Sequence, residues 1–169
     1  MKLSPESKSE EVLSLGIKAE IDAAELYAAL RARVKNILLQ QKLDFLVVEE
    51  KQHRKILERL FSQRFGDRRP ELPPDSFLSK TALPKADSLT VQELFEAALK
   101  AEKISEEFYE KAAKSAEDDA GRKMLVYLSR VERGHYFMIK SEIDLLDRFP
   151  DYYNIEDISL MEEMIHVGP

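Results

Sequence analysis

The sequence contains no cysteine and no tryptophan, and only five glycines among 169 residues. Without cysteine there is no disulfide, zinc ribbon, thiolate-bound iron or thiol nucleophile. Long apolar runs are missing too. Nothing approaches the ~18 consecutive apolar residues of a transmembrane helix, so no membrane partner is expected. The stretch from Met1 to Glu11 lacks the apolar core of a secretory signal, and the chain reads as cytoplasmic. Positive charge is not in excess. The 26 basic residues against 32 acidic ones leave a net charge of −6, a poor match to nucleic acid. Alternating β-branched runs and Asn-Gly or Asp-Gly hairpin signals are absent, which argues against a β fold.

Proline is confined. Four of the seven prolines lie between Pro70 and Pro84, and none falls from Glu6 to Arg69 or from Lys85 to Phe149. Proline inside a helix costs roughly 3 kcal/mol, so two long proline-free segments read as helical. Each is too long for one helix. Lys35-Asn36 breaks the first, and Glu117-Asp118-Asp119 supplies a new helix start in the second. Thr90 with Glu93 forms a T-x-x-E capping box. The expectation is an all-α four-helix bundle with helices at about 6–34, 37–65, 90–116 and 119–149. A helix of ~28 residues is ~42 Å long. The link 66–89 is long enough in extended form to carry the chain back along that whole length. One unit therefore spans 1–149, as hairpin 6–65, crossover 66–89 and hairpin 90–149.

A short helical tail, 150–169, carries Tyr152, Tyr153, Ile155, Ile158, Leu160, Met161, Met164 and Ile165. It is expected to pack on the bundle or on a partner subunit. Tail and crossover together suggest a homodimer or a higher homo-oligomer.

The two halves of the sequence overlay each other in a single register. Lys18-Ala19-Glu20 falls on Lys100-Ala101-Glu102, Tyr27 on Tyr109, Glu50 on Glu132 and His53 on His135. Leu13, Ile17, Leu43, Leu46 and Leu57 fall on Phe95, Leu99, Leu125, Leu128 and Ile139. A helical hairpin used twice packs about a pseudo-two-fold axis.

At spacings of three and four, the second helix gives the seam Leu39, Leu43, Leu46, Glu50, His53, Leu57, Leu60. The fourth gives Leu125, Leu128, Glu132, His135, Ile139. The first gives Leu13, Ile17, Glu20, Ala24, Tyr27, and the third gives Phe95, Leu99, Glu102, Glu106, Tyr109. Carboxylates and imidazoles thus sit mid-seam between apolar layers. Burying ionised carboxylates without partners is very costly, and no seam position is basic. A cation is required.

Glu50-x-x-His53 and Glu132-x-x-His135 each place a carboxylate and an imidazole one turn apart. Glu20 precedes Glu50 by the same interval that separates Glu102 from Glu132, and that interval suits antiparallel helices meeting at one depth. Four carboxylates and two imidazoles are the ligand inventory of di-iron and di-manganese bundles. Oxygen ligands with a few nitrogens suit Fe(II) or Mn(II), and zinc is a possible substitute. The lone Glu163-x-x-His166 has Arg133 where the earlier Glu should stand, and reads as accidental.

Other acids sort by position. Glu49 pairs with Val131 in the repeat, so Glu50 is preferred to it. Glu25 and Glu107 lie about 140° around the helix from Glu20 and Glu102 and are expected in solvent. Two readings stand for Tyr27 and Tyr109: ordinary core tyrosines, or hydroxyls bonded to ligand carboxylates. Two also stand for Glu106, which breaks the repeat against Ala24. It turns to solvent or a neighbouring polar group, or it adds a further carboxylate to the metal site.

These motifs resemble the rubrerythrin and bacterioferritin branch of the ferritin-like superfamily, over about residues 6–149. The resemblance implies a ferritin-like bundle holding two iron ions, bridged by Glu50 and Glu132. Glu20 and Glu102 would be terminal ligands, with His53 and His135 on one iron each. It implies reduction of hydrogen peroxide or dioxygen with electrons from an external donor such as a rubredoxin-like protein. A ferroxidase or iron-handling protein is the alternative, and a helical interaction protein with a structural metal is a second. Rubrerythrins append a cysteine-bearing rubredoxin-like domain, for which this sequence has no cysteines. They also carry a Glu where Ser105 stands here.

Overall fold

The computed structural model describes residues 5–79 and 89–154. Four long helices make up most of it: α1 Pro5–Arg33, α2 Ile37–Phe65, α3 Val91–Ser115 and α4 Asp119–Arg148. A 3-10 turn, Tyr152–Asn154, follows. No strand occurs among the described residues. The helix ends fall within one residue of the sequence expectation, and local chemistry sets them. Asn36 caps α2 by accepting from the Leu39 N–H at 3.0 Å, which makes the Lys35-Asn36 break a helix start as well as a stop. Thr90 and Glu93 form the expected reciprocal capping box on α3. Asp118 caps α4 through the Gly121 N–H at 2.6 Å. Gly66 ends α2 at φ +67°, a left-handed conformation that favours glycine.

Two apolar clusters fix the helix directions. One collects Leu30 and Val34 from the end of α1, Leu39 and Leu43 from the start of α2, Leu94 and Phe95 from the start of α3, and Ile139 and Leu146 late in α4. The other collects Leu13 and Ile17 early in α1, Phe61 and Phe65 late in α2, Ala112 late in α3, and Leu125 early in α4. Helices α1 and α4 therefore run one way, and α2 and α3 the other. The link between α2 and α3 must travel the length of the bundle, as expected of a ferritin-like fold. The seams hold with two corrections: Leu60 and Leu99 are only partly buried, and Phe61 and Ala98 fill the core beside them. A helix turns 3.6 residues per turn, so a 3–4 pattern drifts towards a neighbouring position over several turns.

The crossover docks where α1 and α3 are lined with small residues. Leu78 is fully buried against Ala19, Ala23 and Ala101. Ser79 donates to Asp22 at 3.2 Å, and Ser76 accepts from the Leu78 N–H at 3.1 Å. At the far end, the Tyr153 carbonyl accepts from the Lys35 and Asn36 N–H groups at 2.8 and 3.1 Å. This turn seals the α1–α2 loop. The rest of the expected tail, 155–169 with Glu163 and His166, lies outside the described residues. No described helix is long and apolar enough to cross a membrane.

Candidate metal centre

The seam positions Glu20, Glu50, His53, Glu102, Glu132 and His135 are all buried, each at most 3% exposed. The apolar clusters above and below them put these polar groups midway along the bundle. The imidazoles of His53 and His135 stack with ring centroids 5.4 Å apart. Around each Nδ1 the carboxylates converge. His53 Nδ1 lies 3.5 Å from Glu20 Oε2, 3.4 Å from Glu50 Oε2 and 2.9 Å from Glu132 Oε1. His135 Nδ1 lies 3.1 Å from Glu50 Oε1, 3.6 Å from Glu102 Oε2 and 3.7 Å from Glu132 Oε2.

Glu50 and Glu132 thus each turn one oxygen to one imidazole and the other oxygen to the other. Glu20 serves only the His53 half, and Glu102 only the His135 half. The result is two lobes, each with one nitrogen and three carboxylate oxygens, sharing Glu50 and Glu132.

Electrostatics divides the acids in the polypeptide alone. Burial pushes Glu20 up, with the charges of Glu132 and Glu50 adding. Burial and the charge of Glu132 do the same to Glu102. Glu50 and Glu132 go down, because the two imidazoles outweigh burial. Burial would lower His135, but the carboxylates of Glu102, Glu132 and Glu50 push it up to about 12. His53 is raised for the same reason, with Glu132 and Glu20 foremost.

Do these residues suit a metal? Glu50 Oε1, Glu102 Oε2, Glu132 Oε1, His53 Nδ1 and His135 Nδ1 are buried and make no hydrogen bond, despite lying so close together. Buried polar atoms are almost always paired, and leaving one unmet costs about 1–3 kcal/mol. Buried donor atoms that converge in this way suit the coordination of a cation. One donor atom each from Glu50, His53, Glu132 and His135 fits within 4.8 Å. Four carboxylates with neutral imidazoles carry a charge of −4, which two divalent cations balance. The donor set fits such a pair.

The tyrosines hold Glu102 and Glu20 crosswise. Tyr27 donates to Glu102 Oε1, and Tyr109 donates to Glu20 Oε1. Burial, together with the charges of Glu102 on Tyr27 and of Glu20 on Tyr109, raises both phenols, so they remain donors.

Glu106 is buried but engaged elsewhere. Its Oε1 accepts from Arg133 Nε at 2.6 Å, and its Oε2 from Lys103 Nζ at 3.0 Å. Glu25 and Glu107 are exposed, as expected. The sequence reading missed two features. Arg133 holds Glu106, and Glu142, one further step along the α4 seam, is buried and paired with Lys42. The spacing from Ile139 to Glu142 was the available signal. A cleft of about 580 Å³ at the bundle end, among Leu60, Arg64 and Gly121, touches none of the six ligand candidates.

The fold has a counterpart among solved structures. A solved structure of a hypothetical protein from Pyrococcus furiosus is similar at 30% identity and a TM-score of 0.72, covering 83% of this chain and 91% of that one. No curated protein matches. The rubrerythrin family model matches residues 11–143, which take in all six buried ligand candidates, and the chain belongs to the rubrerythrin family.

Proposed function

We propose that the protein holds two iron ions between Glu20, Glu50, His53, Glu102, Glu132 and His135, and reduces hydrogen peroxide with electrons from an external donor. The observation that carries this reading is the split of Glu50 and Glu132, each offering one oxygen to each imidazole. A single structural ion needs no such division. The iron pair, when bound, supplies the two electrons that H2O2 + 2e− + 2H+ → 2H2O requires.

The chain's own residues do the rest. Glu50 and Glu132 fix the two lobes relative to each other. Tyr27 and Tyr109 orient Glu102 and Glu20 and hold protons on their hydroxyls. The apolar layers on either side keep bulk water from the carboxylates and strengthen their fields. Dioxygen is the other oxidant that this chemistry accommodates, and a rubredoxin-like protein is the class of donor it needs.

The test is anaerobic loading of the full chain with Fe(II), followed by stopped-flow mixing with peroxide. Two irons per chain, oxidation by one equivalent of peroxide, and repeated turnover with a rubredoxin-like donor support the reading. Oxidation by dioxygen that ends in a mineral core favours iron handling. Tight zinc binding without redox cycling favours a structural metal.

A further inference from the structure

The internal repeat is close to symmetric at the ligands but not beside them. Between α1 and α2 a cleft of about 270 Å³ reaches Glu20, with Ala24 and Ala28 on one wall and Val47, Lys51 and Arg54 on the other. In the register of the repeat, Glu20, Ala24 and Lys51 become Glu102, Glu106 and Arg133. The corresponding place between α3 and α4 is thus occupied. The Glu106 side chain is buried there, with Oε1 on Arg133 and Oε2 on Lys103. The α1–α3 face is covered by the crossover, where Leu78 sits on Ala19, Ala23 and Ala101. The same ligand thus stands behind an alanine in one half and behind a clamped carboxylate in the other. The mouth of the cleft is mixed in charge: Arg54 is paired with Glu58, and Lys51 lies across from Glu25. It repels neither a cation nor a neutral molecule strongly.

We propose that the α1–α2 cleft at Ala24 is the route by which metal ions and small solutes reach the centre, and that Glu106, held by Arg133 and Lys103, plugs the equivalent route between α3 and α4. This rests on the metal-centre reading above. Loading is then one-sided, with solutes meeting the Glu20–His53 lobe first. A route differs from a ligand in one measurable way. Narrowing it slows entry and exit by the same factor and leaves the equilibrium affinity unchanged.

The experiment follows Co(II) uptake by the metal-free full-length chain in stopped-flow absorbance, with chelator-driven release and an equilibrium titration alongside. Ala24→Leu should slow uptake and release at least tenfold, with two Co(II) per chain and unchanged affinity. Ala28→Leu, at an exposed position nearer the mouth, puts no strain on the core and should slow both several-fold. Glu106→Ala should speed uptake and restore it in the Ala24→Leu background. Wild-type uptake rates in both alanine variants, or no rescue by Glu106→Ala, overturn the route while leaving the metal centre intact. An equal loss of affinity and of uptake rate in Ala24→Leu also overturns it. If the unsubstituted chain binds no Co(II), the metal centre itself falls, and the route with it.

Discussion

Tyr27 donates its hydroxyl to Glu102, a residue 75 positions away on another helix, and the repeat returns the bond from Tyr109 to Glu20. Each tyrosine therefore ties a buried carboxylate of one hairpin to the other hairpin. A positioning bond of this kind typically contributes a factor of about 10–100 in metal affinity. Tyr27→Phe should leave two metals per chain and weaken the Glu102–His135 lobe by roughly tenfold. Tyr109→Phe should do the same to the Glu20–His53 lobe. Two-step Co(II) titrations measure both. If neither step moves in either variant, the tyrosines only fill space.

Each imidazole belongs to one lobe. His53→Ala should therefore leave one metal per chain, held by Glu50, Glu102, Glu132 and His135, and His135→Ala should mirror it. Both should abolish peroxide turnover, since the second electron is then missing. Elemental analysis after gel filtration gives the count. Two metals retained in both variants would remove His53 and His135 from the ligand set. His166→Ala serves as the control and should retain both metals.

The buried cluster of acids and imidazoles was legible in the sequence because the internal repeat carried both onto an apolar seam. The helix ends were legible because Thr90, Asp118 and Gly66 act through their immediate neighbours. What stayed hidden depended on contacts between helices. Tyr27 stands two turns from Glu20 on its own helix, ~10 Å along the axis, too far for a hydrogen bond. Its partner became visible only once α3 was placed beside α1. The fate of Glu106 turned on Arg133 reaching across from α4, which seam spacing cannot foresee. The docking of Leu78 needed a groove made by alanines of two helices, and no pattern within the link signals it.

That groove gives a stability prediction. Leu78 is fully buried, while Leu72 in the same link is 41% exposed. Leu78→Ala should destabilise the fold by about 2–5 kcal/mol, and Leu72→Ala by well under ~1 kcal/mol. Urea unfolding of the metal-free chain, monitored by helical circular dichroism, separates the two. Equal midpoints would mean that the crossover is not anchored at Leu78.

Metal loading should release protons. In the polypeptide alone, the surrounding carboxylates push His135 up to about 12 and raise His53 as well, so both imidazoles hold a proton more tightly than a free histidine does. Burial also raises Glu20 and Glu102, moving them towards the neutral acid. A metal ion needs the lone pairs those protons occupy. The sign follows: protons compete with the metal, so apparent affinity falls as pH falls and rises as pH rises. The unfolded chain, with an ordinary histidine near ~6.5, has little such competition above about pH 7. Calorimetric titration of Co(II) at neutral pH, in two buffers with different ionisation enthalpies, counts the protons directly. Each occupied lobe should release at least one, from its imidazole. His53→Ala should reduce the total by the share of its own lobe. Identical heats in the two buffers would mean that the imidazoles are already neutral in the metal-free chain and that no ion pair with the carboxylates forms there.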